Sequence, residues 1–170
     1  MDRSLRLIAL ANGLARELGW EQICGLYEQI IADQPLDEHL GSLSTWLTIG
    51  MQEFIPQVND MPHEKGIAIT EKVAEILRRA LEVSPRNPGL ATIYGLLYYR
   101  YPVKHLDERE HLQQAMQWFE NSVLWSAEDH GEVDVTALIH LGHCNFELED
   151  WREALKTYAA IYALAPQELP

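Results

Sequence analysis

His140, His143 and Cys144 form the cluster in this chain best placed to do chemistry, written H-x-x-H-C. On a helix the two imidazoles fall on roughly one face, where they could hold a transition metal. A closed zinc site needs four ligands, and no second cluster at matching spacing supplies the remainder. The three residues therefore read as surface, groove and core side chains rather than a metal centre. His105, Asp107, Glu108, Glu110 and His111 form a second polar group, which reads as a solvated charged loop or the start of a helix. The acidic stretch EDHGEVD at 128–134 lacks the ligand spacing of a calcium-binding loop. The sequence contains no H-E-x-x-H, no glycine-rich phosphate loop, no G-x-S-x-G and no paired C-x-x-C. No nucleophile stands beside a base at a recognisable spacing. The expectation is a noncatalytic protein with no metal and no cofactor.

The elements that must carry these residues are helical. In VTALIHLGHCNFELEDWREALKTYAAIYALAP, residues 135–166, Leu138, Leu141 and Gly142 are followed by Ala154, Tyr158, Ile161 and Pro166. Apolar residues at three- and four-residue spacing make two helical stripes. Small residues mark a close helix crossing, and the proline stops the second helix. Weaker copies precede it. Leu7, Leu10, Ala11 and Leu14, then Ile23, Tyr27 and Ile30 before Pro35, make a first copy. Trp46, Ile49 and Gly50, then Val73, Leu77 and Ala80 before Pro85, make a second. Ala91, Tyr94, Gly95 and Tyr98, then Ala115, Phe119 and Ser122, make a third that no proline closes.

This spacing resembles the tetratricopeptide repeat (TPR) family, and the ALEVSP closing the second copy is typical of it. Ile23 departs from the pattern, which usually has alanine at the crossing. The resemblance implies an all-α fold: a right-handed superhelical stack of four antiparallel helix pairs in a single domain over 1–170. The repeats span about 4–35, 43–85, 88–127 and 135–166, with insertions at about 56–66 and 101–110 between the helices of the second and third pairs. Equivalent loops of such a stack share one rim, so the insertions are expected to be neighbours. Another helical-pair solenoid such as HEAT, with its longer period, fits the wider spacings and remains open.

In the TPR family the first helices line a concave groove where a partner lies. Off the core stripe this projects Ile8, Asn12, Leu47, Met51, Phe54, Ile55, Thr92, Leu96, Tyr99, Ile139, His143 and Phe146. The expected partner-binding residues are Leu47, Met51, Phe54, Leu96, Tyr99, His143 and Phe146. This face is apolar, and it lacks the Lys and Asn set with which family members clamp acidic tails. The expected ligand is a protein or peptide segment with apolar anchors. The alternative is a homo-oligomeric structural subunit whose groove is filled by its own chain.

Composition narrows the partners. With 13 Lys and Arg against 26 Asp and Glu, the net charge is −13. That disfavours nucleic acid and anionic membranes, and favours partners bearing basic residues. Two cysteines, Cys24 and Cys144, are too few for a disulfide framework, which points to a reducing cytoplasm. LIALANGLA at 7–15 is interrupted by Asn12 and Gly13 and reads as a helix rather than a leader. The last helix, 151–166, has no charged side chain beyond Lys156. An uncovered apolar end predicts a homodimer through Tyr158, Ile161 and Tyr162.

Overall fold

A computed structural model describes residues 62–83, 85–100 and 107–165. The chain divides into two compact units, 1–85 and 86–170. Every described element is helical, and no strand occurs among the described residues. The first and second repeat copies up to residue 61 lie outside them, and so do the groove positions Leu47, Met51 and Phe54.

Within the first unit, α1 spans His63–Val83. Val73, Leu77 and Ala80, the stripe expected of the second copy, are buried at three- and four-residue spacing, and Thr70 extends it by one turn. The helix reaches back to His63, so the last residues of the 56–66 insertion are helical. Arg78 on its exposed face bridges Glu75 and Glu82, one turn away on either side.

The second unit holds α2 (Pro88–Arg100), α3 (Glu108–Trp125), α4 (Val135–Glu147) and α5 (Trp151–Leu164). Each start is fixed by local chemistry. Pro88 supplies a preset φ at the first position of α2, and Asn87 Oδ1 accepts from Leu90 N at 3.0 Å. Asp107 and Glu110 form a reciprocal capping box at α3. Asp134 caps α4 through Ala137 N, and Asp150 caps α5 through Glu153 N. The DERE segment of the 101–110 insertion is therefore the cap and first turn of α3.

Within the second unit α2 packs on α3, α3 on α4 and α4 on α5, and α2 also touches α4. Tyr94 stacks on Trp118 at 4.5 Å while Tyr98 meets His111 at 6.3 Å, so α2 and α3 run antiparallel. Phe146 on Trp151 and Gly142 on Tyr158 show the same for α4 and α5. Leu112, Ala115, Phe119, Ala137 and Cys144 form a core joining α3 and α4. No proline closes α3. A five-residue π-type turn, Ser126–His130, ends it instead, and Gly131 then adopts φ 71°, a left-handed conformation that glycine reaches without strain.

The two helix pairs share a local geometry. A Cβ on Gly95 would lie 2.6 Å from the Phe119 ring, and one on Gly142 would lie 2.8 Å from the Tyr158 ring. Ala115 and Ala154, four residues before those aromatics, are both buried. In each pair a glycine of the first helix seats an aromatic of the second, beside a buried alanine. This is the small-on-large crossing that the spacing of the third and fourth copies predicts.

Candidate functional site on the α2 and α4 faces

The described groove positions are Leu96 and Tyr99 on α2 with His143 and Phe146 on α4. They do not form one uniform patch. Leu96 and Tyr99 are half-buried against the α3–α4 core. Tyr99 O–H donates to Glu147 Oε1 at 2.5 Å, tying the end of α2 to the end of α4. Burial and the Glu147 carboxylate both push the Tyr99 phenol up, so it stays protonated. His143 is half-buried, and Phe146 is 53% exposed beside Trp151 at 4.9 Å.

Between Tyr99 and His143 lies a residue that the groove projection missed. The His140 ring packs 5.4 Å from Phe119, nearly parallel, 5.6 Å from Tyr99 and 5.7 Å from His143. His143 in turn lies 6.2 Å from Tyr158. An aromatic row thus runs from α2 across α4 to α5. His140 Nδ1 is buried with no hydrogen-bond partner. Burial, then the neighbouring His143 and Arg100, lower the His140 pKa to about 4, against a smaller opposing pull from Asp134. The ring is therefore neutral at pH 7 and behaves as an aromatic filler. Cys144 is fully buried, and burial pushes its thiol up to about 12, far from a reactive thiolate. Among the described residues, no three His, Cys, Asp or Glu side chains converge as a metal site.

Thr92, projected onto the groove, instead points into a buried polar junction. Its Oγ1 donates to Asp134 Oδ2 at 2.6 Å and lies 2.7 Å from Ser122 Oγ. Ser122 Oγ is also within 2.9 Å of both Asp134 Oδ2 and Pro88 O. Asp134 N donates to Ser126 Oγ, and Asp134 Oδ1 caps α4. One carboxylate therefore joins α2, α3 and α4. At the same end Arg86, at φ 64°, pairs with Glu128 and Asp129.

The opposite end, where α3 begins and α4 turns into α5, is open. A cavity of about 750 Å³ is lined by Asp107, Glu108, Arg109, Leu112, Glu147, Leu148 and Glu149. Its lining combines two leucines with four carboxylates against one guanidinium, so the cavity is negative. The sequence marks these acids individually. It does not show that the α3 cap and the α4–α5 turn meet.

The expected dimer residues separate in the same way. Ile161 is fully buried and Tyr158 is half-buried against Gly142, whereas Tyr162 is 67% exposed. The α5 side chains turned outward with Tyr162 are Trp151, Leu155 and Ala159. No described helix is long and apolar enough to cross a membrane. No protein-family model matches the chain, and no curated protein matches it significantly.

Proposed function

We propose that the chain is a TPR-like stack of four helix pairs, acting in the cytoplasm as a noncatalytic protein-interaction module. Its partner would be a peptide or protein segment that places apolar anchors along the first-helix face, with basic residues near the acidic end. The observation that carries this reading is the repetition of one crossing, Gly95 on Phe119 and Gly142 on Tyr158, in consecutive helix pairs. Repetition at this spacing supports a scaffold whose first helices present a continuous surface. The carboxylates around the cavity beside Phe146 support a basic partner. A noncatalytic role fits a neutral, half-buried His140 and a protonated Cys144.

The test is affinity co-purification from the source cells with wild type and Phe146→Glu. Phe146 is preferred to Leu96 because its ring is largely solvent-facing, so the charge should spare the fold. The proposal expects a partner held by wild type and lost by the variant. The same partner retained by both, or no partner with either, would refute groove binding. The second reading is a homo-oligomeric subunit associating through its last helix, with the groove filled from within. The partial burial of Leu96 and Tyr99 and the apolar outer side of α5 favour it.

A further inference from the structure

α5 has two apolar sides. Its inner side carries Ala154 and Ile161, both buried in the pair with α4. Its outer side carries Trp151 at 56% exposure, Leu155 at 71% and Tyr162 at 67%, with Ala159 and Ala163 also exposed and Arg152 at its margin. After Lys156, which is paired with Glu153 at 2.5 Å, the helix carries no charge. With more than half of Trp151, Leu155 and Tyr162 exposed, this side offers roughly 450 Å² of mainly apolar surface, so a dimer through it would lie at the small end of specific interfaces.

The order of residues on this side says what fits it. Trp151, Leu155, Ala159 and Ala163 form a single i, i+4 row, with two large residues followed by two small ones. When such a row meets itself antiparallel about a twofold axis beside Thr157, Leu155 falls opposite Ala159 of the second copy. Trp151 falls opposite Ala163 of the second copy. Each large side chain then meets a small one, and each contact occurs twice. Arg152 falls opposite Tyr162 of the second copy, a geometry suited to a cation–π contact. The antiparallel arrangement also sets the positive N-terminal end of one helix against the negative C-terminal end of the other. A chain of net charge −13 could associate here because the row itself is free of carboxylates.

We infer that the outer row of α5 is a self-complementary homodimer interface, with α5 packed antiparallel on α5 of a second copy. This rests on the second reading above and is independent of groove binding. The occupant is selected by size alternation along one row, not by apolarity alone.

Light scattering of the full chain across a concentration series tests it, with far-UV circular dichroism confirming helicity of each variant. Wild type should reach twice the 19.5 kDa chain mass. Leu155→Glu should weaken association by about 30-fold or more, as loss of a central contact does. Ala159→Leu, which sets leucine against leucine, should weaken it by roughly 10-fold. The swap Leu155→Ala/Ala159→Leu restores large against small and should recover the dimer. The chemically mild Ala159→Leu keeps the test decisive if Leu155→Glu fails to fold. A wild type monomeric at every concentration overturns the inference, as does a dimer indifferent to Leu155→Glu or a swap that fails to recover association. The mass is read on the purified chain without any partner, so this result stands or falls separately from whether a partner is lost in the co-purification.

Discussion

Replacing Gly95 and Gly142 by alanine should have unequal effects, and the inequality can be worked from the two crossings. At Gly95 the added methyl would sit 2.6 and 2.7 Å from two carbons of Phe119 and 3.0 Å from a third. Ordinary carbon contacts lie near ~3.5–4.0 Å, so the ring must retreat by about 1 Å. It has little room. Phe119 is fully buried, and the His140 imidazole backs it at 5.4 Å with the planes only 20° apart. Overpacking of this kind costs about 1–3 kcal/mol, while alanine in a helix interior recovers about 1 kcal/mol relative to glycine. The expected net loss is about 1 kcal/mol. At Gly142 the nearest atom is Tyr158 Cε1 at 2.8 Å, on a half-buried ring that can swing towards solvent. Strain and helix propensity should there cancel to within about 0.5 kcal/mol. Urea unfolding followed by circular dichroism checks both, and Phe119→Leu supplies a second arm. Its cost combined with Gly95→Ala should fall short of the sum of the single costs by at least about 0.5 kcal/mol. The reasoning is refuted if Gly95→Ala is as stable as wild type, or if Gly142→Ala is the more damaging of the two.

Two further substitutions probe the interior. Asp134→Ala removes the cap of α4 and the shared acceptor of Thr92 and Ser122, and should cost about 2–4 kcal/mol. The upper end is softened because Pro88 O remains within reach of both hydroxyls. Asp134→Asn keeps an acceptor oxygen and should cost less, so equal losses in denaturant melts would count against the junction. His140 is depressed to about 4 from an ordinary value of 6.5, so the unfolded chain takes up its proton first as pH falls. Its contribution is complete above pH 6.5 and is lost as pH falls through about 4. Allowing for its partial exposure, the loss should be about 1–2 kcal/mol. His140→Phe should remove that slope from a pH series of unfolding midpoints, and an unchanged slope would assign the acid sensitivity to other groups.

The described helices were legible in the sequence because their signals are periodic and local. Val73, Leu77 and Ala80 in α1, Ala115 and Phe119 in α3, and Ala154 and Ile161 in α5 are buried where their spacing placed them. The groove was less legible, because spacing gives the direction of a side chain on its own helix but not what stands opposite. Thr92 lies on the same stripe as Leu96 and Tyr99, yet Ser122 and Asp134 draw it into a hydrogen-bonded junction 30 and 42 positions along the chain. Ser122 occupies an apolar position of the third copy. Its polarity was the available sign that something other than packing happens there. Ile161 and Tyr162 are adjacent in sequence, yet one is buried and the other exposed, so an apolar run near the end of a helix did not by itself identify its outward side. His140 and His143 share a face as their spacing required, but Phe119 and Tyr99, which make His140 an apolar filler, come from other helices.

The two ends of the second unit differ in a way that bears on binding. At one end Asp134 binds three helices together and Arg86 pairs with the π-type turn, so the starts of α2 and α4 are fixed relative to each other. At the other, the Tyr99–Glu147 bond spans the same two helices, and there the acidic cavity and the exposed Phe146–Trp151 pair lie close together in the chain. A rigid base limits the entropy lost when a surface closes on a ligand. On the proposed binding face, charge and exposed aromatic area would supply the attraction at this end. Glu147 serves twice here, accepting from Tyr99 and lining the cavity. Glu147→Gln would retain an acceptor for Tyr99 and remove one negative charge from the rim. It is therefore the substitution that separates the structural role of this residue from its electrostatic one.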